Sequence, residues 1–260
     1  LHDDYAFPLP VIVIAEMLGI PGGDIHLFKR WSDASVAAMG AEDPTPYAED
    51  MLAMREYLLQ QISERRNNPK NDLISGLVQA RIEGQGLEDQ DVLSVTNQLF
   101  VGGNETTTSL ITNAVWRLLE NPLEWTKLRE DLSLVDQAVE EALRYDPPVL
   151  GLYRNTACDV ELHGVTMPGN SKVMLHYAAA NRDPKVWGNP NTFDISRPAK
   201  RHLALGLGVH FCLGAQLARL EAVTALRQLI RRVPDLRLLG QGERITPFFL
   251  WGRRKLPVGM

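Results

Sequence analysis

The longest helical pattern in the chain runs from about Leu87 to Glu120, and it constrains the fold more than any other feature. At a rise of 1.5 Å per residue this segment predicts a helix ~45 Å long, which is the thickness of a whole domain. We therefore expect it to cross the interior. Its middle holds two adjacent glycines, Gly102 and Gly103, which each cost ~1 kcal/mol relative to alanine. A kink or an opened turn at this pair, with room for a small ligand and water, would account for them.

The chain changes character near residue 148. Residues 1–148 carry apolar side chains at helical spacing, interrupted by proline and glycine. Residues 149–260 carry short strand patterns, a loop rich in Pro and Asn, and a last helix over Ala215–Arg232. We predict a mainly α protein with a minor β-sheet, as one domain over 1–260. Within 1–148 we also predict a helix capped by Asp24 and a short helix over 72–82.

Composition excludes several classes of protein. The 260 residues carry 27 Lys and Arg against 32 Asp and Glu, so the net charge is −5 and no basic stripe is available for nucleic acid. The two cysteines, Cys158 and Cys212, cannot build a disulfide framework and fit a reducing compartment. No apolar run reaches the ~20 residues of a membrane helix. We expect a cytoplasmic protein without nucleic-acid or membrane partners.

A glycine-rich segment around Cys212 immediately precedes the last helix. Gly206, Gly208 and Gly214 flank the cysteine, and glycine permits positive φ, so the backbone can lie close against a flat group. The start of a helix favours a thiolate over a thiol, whose free pKa is ~8.5. A thiolate in a glycine-lined loop suits an iron ligand.

Two ordinary interpretations compete with this one. A lone free cysteine is usually a small buried hydrophobe, and we adopt that interpretation for Cys158. His210 and Cys212 could form half of a zinc site, but the sequence offers no second Cys/His pair to complete it.

The run from Leu205 to Gly214 resembles the haem-binding loop of the cytochrome P450 family, Phe-Gly-x-Gly-x-His-x-Cys-x-Gly. Leu205 stands where the family has an aromatic residue, which we expect to alter packing beside the cysteine but not ligation. The resemblance implies a cytochrome P450 fold with haem b (iron protoporphyrin IX) as cofactor. It makes Cys212 the axial thiolate and His210 a partner of a haem propionate, with Gly206 and Gly214 in the same cofactor-binding loop.

The glycine pair of the long helix fits the same family. Gly102-Gly103-Asn104-Glu105-Thr106 resembles the pattern Ala/Gly-Gly-x-Asp/Glu-Thr, in the helix that crosses the distal haem face. The resemblance makes Glu105 and Thr106 the acid–alcohol pair that handles protons for dioxygen, with Gly102 and Gly103 beside them. The alternative is that Thr106 only bonds back to a carbonyl of its own helix.

Further residues match the family far from the cysteine. Glu141 and Arg144 form its Glu-x-x-Arg motif, and Arg197 supplies the arginine that completes this network; we assign all three to maintenance of the fold. Arg154 matches the arginine that opens the small sheet, and His202 the histidine that opens the haem loop. The resemblance implies that both bind haem propionates.

The implied activity is dioxygen-dependent monooxygenation of an apolar small molecule. No flavin or nicotinamide fingerprint is visible, so we expect electrons from a separate ferredoxin or flavodoxin-type donor, with Arg201 and Arg219 as candidates for docking it. The resemblance covers nearly all 260 residues but only the later part of the family domain. We therefore expect the N-terminal portion of the fold to be absent, with Leu1 near the family's fourth helix.

Two alternatives stay open at this point. One keeps the haem but changes the chemistry, to a peroxide-driven oxygenase or a non-oxygenating isomerase. Retention of Glu105 and Thr106 argues against it, because such enzymes often lose the proton relay. The other is a haem-free helical binding or scaffold module.

Overall fold

The computed structural model describes residues 1–260, and it is mainly helical, as the sequence predicts. Nine α-helices are joined by short π and 3₁₀ turns. The helices are α1 (Pro8–Leu18), α2 (Ile25–Gly40), α3 (Ala48–Asn67), α4 (Leu73–Gln79), α5 (Asp89–Glu120), α6 (Pro122–Glu130), α7 (Val135–Tyr145), α8 (Tyr177–Ala180) and α9 (Ala215–Arg232). None of the helices combines the length and the apolar character that crossing a membrane requires.

The strands form five separate two-stranded antiparallel sheets instead of the one minor sheet that we predicted. They are β1 (Arg81–Ile82), β2 (Gln85–Gly86), β3 (Leu152–Asn155), β4 (Val160–Leu162), β5 (Val165–Met167), β6 (Lys172–Leu175), β7 (Arg237–Leu238), β8 (Glu243–Arg244), β9 (Arg253–Lys255) and β10 (Val258–Gly259). β1 pairs with β2, β3 with β6, β4 with β5, β7 with β10 and β8 with β9. Pairs this short depend on the helices they pack against for their stability.

The long helix α5 crosses the interior, as expected from its length. It begins with a capping box, in which the Glu88 side chain accepts from the backbone N–H of Asp91 and the Asp91 carboxylate accepts from the backbone N–H of Glu88. The predicted opening at the glycine pair is wrong, because residues 89–120 form one uninterrupted α-helix. Gly102 keeps its place in the helix while its carbonyl also accepts a bond from Thr106 Oγ1 at 2.7 Å.

Two local predictions in the first half need correction. The helix predicted over 72–82 ends at Gln79, because Glu83 (φ 51°) and Gly84 (φ 84°) take left-handed conformations that turn β1 back onto β2. Asp24 does precede α2, but its carboxylate does not cap the helix; it accepts a hydrogen bond of 2.7 Å from the Tyr57 hydroxyl instead.

The hydrophobic core divides into two large clusters along α5. One surrounds the first half of α5 and includes Leu58 and Phe100; the other surrounds the second half and includes Leu110 and Leu226. The segment 101–109 between them carries the glycine pair and a run of polar side chains. The candidate active site lies at this break in the apolar packing.

Candidate active site

A cleft of about 230 Å³ lies where α5, β3, the loop 202–214 and α9 meet. Its walls are mainly apolar, with leucines from α5, α7, β3 and α9. Nine residues that the sequence assigned to the site line this one cleft, although they are spread over more than a hundred positions: Gly102, Gly103, Thr106, Arg154, Leu205, Gly206, His210, Cys212 and Gly214.

The loop around Cys212 has the backbone that its glycines predict. Gly206 and Gly208 both have φ of 74°, in the left-handed region where a side chain is strained. A Cβ added to Gly206 would also lie 3.3 Å from the carbonyl oxygen of His210. Cys212 itself is half-buried, and its carbonyl accepts from the N–H of Ala215 at the start of α9. The loop therefore presents the thiol to the cleft directly before a helix N-terminus.

The helix face opposite this loop is shaped by its glycines. A Cβ at Gly102 would meet only the end of Gln98, at 3.6 Å, and one at Gly103 only Ile14, at 3.9 Å. Protein atoms therefore do not demand glycine at either position, and the space that a side chain would fill belongs to the cleft. Thr106 lines the cleft one turn later, with its hydroxyl donating to the Gly102 carbonyl. This is the back-bonded geometry of the alternative for Thr106.

Glu105 lies outside the cleft, on the other side of α5. It faces a polar cavity lined also by Lys29 and Asp33 of α2, and Ser109 Oγ lies 3.4 Å from its Oε1. Burial raises the pKa of Glu105 to about 7, and the negative charge of Asp33 adds to the increase. Glu105 and Thr106 thus point in different directions, because successive residues of an α-helix are rotated by ~100°.

Arg154 and His202, two of the three predicted propionate partners, lie in different environments. Arg154 is exposed on β3 and lines the cleft, where its Nη1 donates to the backbone carbonyl of Tyr153 at 2.8 Å. His202 is buried and does not line the cleft. Its Nε2 lies 3.1 Å from Oε2 of Glu140 on α7, a residue that the sequence analysis did not single out.

Glu141, Arg144 and Arg197 lie together in one buried network, away from the cleft. Arg144 donates two hydrogen bonds of 2.7 Å to the two carboxylate oxygens of Glu141, and Arg197 Nε lies 3.2 Å from Glu141 Oε2. The guanidinium of Arg144 also donates to the backbone carbonyls of Asn181 and Pro190. The network therefore fastens the loop 181–197 to α7.

Sequence reasoning missed the acidic residue of the cleft, Glu221 of α9, along with the polar residues Thr107 and Tyr177. Glu221 is the only carboxyl-bearing residue among those that line the cleft. Its side chain is buried, Oε2 has no hydrogen-bond partner, and burial raises its pKa to about 7. The available signal was a single acid among Leu217, Ala218 and Ala222 on the buried face of an amphipathic helix.

The cleft brings together the loop of Cys212 and the glycine pair of α5, two motifs that lie far apart in the sequence and on which the resemblance depends. Residues 43–234 match the family model described as cytochrome P450. The chain belongs to the cytochrome P450 family. The match includes the helix segment 102–106, the Glu-x-x-Arg motif and the loop of Cys212.

Individual cytochromes P450 are similar to this chain in both sequence and fold. A curated cytochrome P450 of Bacillus subtilis (strain 168) is 42% identical over 263 residues, which cover 99% of this chain and 64% of that relative. The ligand-free structure of cytochrome P450 TbtJ1 has a TM-score of 0.94 at 39% identity, over 99% of this chain and 70% of its own. A structure from Bacillus megaterium in complex with testosterone has a TM-score of 0.87 at 36% identity, over 97% and 70%. The predicted family and fold class are confirmed, and the chain spans 64% of the length of the first relative.

The residues of the cleft fit a haem, which is the cofactor of the cytochrome P450 family. A soft sulfur donor from Cys212 suits iron, and the leucine-rich walls suit a flat apolar macrocycle. A Cβ at Gly208 or Gly214 would meet no protein atom within 4 Å, and the glycines of α5 leave open space on the facing wall. Arg154 and His210 supply cationic or donor side chains for the carboxylates of such a group.

Proposed function

We propose that the protein is a haem-thiolate monooxygenase, which inserts one oxygen atom of O₂ into an apolar small molecule. The observation that carries this proposal is that Cys212 lines the same cleft as Gly102, Gly103 and Thr106 of α5. In this proposal Cys212 Sγ holds the iron of haem b, while Arg154 and His210 bind its propionates. Bound haem supplies the activation of dioxygen and the transfer of an oxygen atom.

The chain's own residues then control protons and water in the cleft. Thr106 holds a hydroxyl proton at Oγ1, where the Gly102 carbonyl accepts it and fixes the direction of the hydroxyl. Because Gly102 and Gly103 carry no side chains, α5 leaves room for small molecules beside that hydroxyl. Glu105 holds its proton near neutral pH in the polar cavity on the α2 side of the helix, outside the cleft.

The proposed substrate is an apolar small molecule, and the proposed electron donor is a ferredoxin or flavodoxin. The leucine-lined cleft supports the first part, and a related cytochrome P450 is known in complex with testosterone. Val209 and Leu213 are the most exposed apolar side chains around Cys212 and would meet a donor there. Arg219 is less suited to docking than expected, since it is bound to Glu140. A cytoplasmic location belongs to the same proposal, because both thiols are free.

A peroxide-driven oxygenase is the second candidate. One observation favours it: Glu105 lies outside the cleft, so the acid of the expected pair does not adjoin Thr106. The two candidates differ in the oxidant that they consume.

A single experiment separates them. The protein is loaded with haem and given testosterone as probe, either with reduced ferredoxin and O₂ or with hydrogen peroxide alone. Oxidised product with ferredoxin and O₂ is the expected result. Product with peroxide alone supports the second candidate, and a protein that binds no haem contradicts both.

A further inference from the structure

Glu140 of α7 joins the two ends of the segment that carries Cys212. One carboxylate oxygen, Oε2, lies 3.1 Å from His202 Nε2, at the start of that segment. The other, Oε1, accepts from Arg219 Nε at 2.5 Å, and Arg219 Nη2 donates to Oε2 at 3.1 Å. Arg219 lies in α9, seven residues after Cys212. All donors of this triad therefore converge on one carboxylate.

The hydrogen bonds define the role of each residue of this triad. The backbone N–H of Ala204 donates to His202 Nδ1 at 3.3 Å, so the ring donates to Glu140 through its other nitrogen, Nε2. Burial alone would raise the pKa of Glu140, but the bonds from His202 and Arg219 outweigh it and hold the pKa at about 2. The triad thus joins the ionised carboxylate of Glu140 to the guanidinium of Arg219 and the imidazole of His202.

Arg219 also contacts the backbone that follows the cysteine: its Nη1 lies 3.5 Å from the carbonyl oxygen of Ala215, whose own N–H donates to the Cys212 carbonyl at 3.2 Å. The pKa of Arg219 is raised mainly by the hydrogen bond to Glu140, with burial opposing, and the charge of Cys212 adds to the increase. The carboxylate of Glu140 therefore offsets the positive charge of Arg219 in the first turns of the helix that follows Cys212. Residues beyond the ligand itself commonly orient a ligand and tune its metal.

We propose that Glu140 is a positioning residue for Cys212: it holds both ends of the cysteine segment and offsets the positive charge of Arg219 at the second of these ends. The inference rests on the proposed haem-thiolate function. Glu140 is distinct from its neighbour Glu141, whose carboxylate binds Arg144 and Arg197. A positive charge left unbalanced near the iron favours its reduced state, since reduction adds a negative charge.

The test is the haem reduction potential of matched variants, measured by spectroelectrochemical titration. Glu140→Gln is expected to shift the potential in the positive direction, and Arg219→Gln in the negative direction. Combining the two substitutions should bring the potential back toward the wild-type value. His202→Gln, which keeps a donor near the position of Nε2, should move the potential less than His202→Ala.

A matched control comes from the same two helices. Arg227 of α9 and Asp136 of α7 form an exposed ion pair of 2.6 Å, and Arg227 lies eight residues beyond Arg219. Asp136→Asn breaks this second clamp and should leave the potential unchanged. Equal shifts of the reduction potential in Asp136→Asn and Glu140→Gln would show that Glu140 only holds α7 and α9 together, and would overturn the proposal.

The spectrum of the reduced, CO-treated wild-type protein distinguishes a failure of the proposed function from a failure of the inference about Glu140. A band shifted far to the red, together with an unchanged potential in both Glu140→Gln and Arg219→Gln, overturns the inference about Glu140 alone. Absence of that band in the wild type overturns the proposed function, and the inference with it. If Glu140→Gln does not retain haem, the two Arg219 variants provide the test. Arg219→Gln should have a lower reduction potential than the wild type, and Arg219→Lys, which keeps the positive charge, should have a potential close to the wild-type value.

Discussion

The backbone N–H of Cys212 donates a hydrogen bond to the carbonyl oxygen of Leu205, with 2.9 Å between nitrogen and oxygen. This bond closes the loop 205–212, and the left-handed glycines Gly206 and Gly208 make the closure possible. The thiol is therefore held by backbone geometry, which does not depend on the aromatic residue that Leu205 replaces.

Gly206→Ala should destabilise the loop of Cys212. The substitution forces a Cβ into the left-handed region, at about 1–2 kcal/mol, and places it 3.3 Å from the His210 carbonyl. Urea unfolding of the cofactor-free protein measures the loss. Gly188→Ala is the control, because its added Cβ meets nothing within 4 Å. Equal stability of the two variants would contradict the strain argument.

Thr106→Val should raise the amount of peroxide released per electron consumed, because it removes the only hydroxyl that the proposal places beside dioxygen. Thr96 of the same helix makes an equivalent back-bond of 2.7 Å, to Val92, but does not line the cleft. Thr96→Val should therefore leave coupling unchanged. If both variants, or neither, release more peroxide, the proton role of Thr106 is lost.

Glu221→Gln should stabilise the cofactor-free protein, and more so at higher pH. The folded pKa of about 7 exceeds the ordinary value of 4.5, so the unfolded chain ionises first and the folded state loses stability as pH rises from 4.5 to 7. One pKa unit corresponds to ~1.4 kcal/mol; after allowance for solvent screening, the advantage of the variant should grow by about 2 kcal/mol between pH 5 and pH 8.

Urea unfolding at the two pH values measures this change. Glu161→Gln, at an exposed position of β4, provides the control and should show no such growth. An advantage of Glu221→Gln that does not vary with pH would mean that Glu221 is already ionised in the fold.

Arg144→Ala should cost about 3–5 kcal/mol of unfolding free energy, because it leaves the buried carboxylate of Glu141 with only part of its hydrogen bonding. Arg227→Ala breaks the exposed ion pair with Asp136 and should cost far less. Thermal unfolding of both variants gives the comparison. Similar losses would show that the network around Glu141 is no more than surface charge.

Features fixed by neighbouring residues were predictable from the sequence. The last helix Ala215–Arg232 and the short strands within residues 149–260 follow local patterns, and the positive φ of Gly206 follows from the residue type. A search for proline, glycine and periodic apolar residues finds each of them.

Side-chain directions and distant partners were not predictable in this way. Glu105 and Thr106 are adjacent in the motif, yet the helix turns them to different cavities. His202 meets Glu140 across 62 positions, and Asp24 meets Tyr57 across 33. Such pairs depend on how whole helices pack, which no short pattern encodes.

The most direct test of the central claim is the absorption spectrum of the reduced, CO-treated protein and of its two cysteine variants. We predict a Soret band shifted far to the red in the wild type and in Cys158→Ser, whose cysteine is exposed, and loss of that band in Cys212→Ser. A wild-type spectrum without the band, or its persistence in Cys212→Ser, would contradict the account.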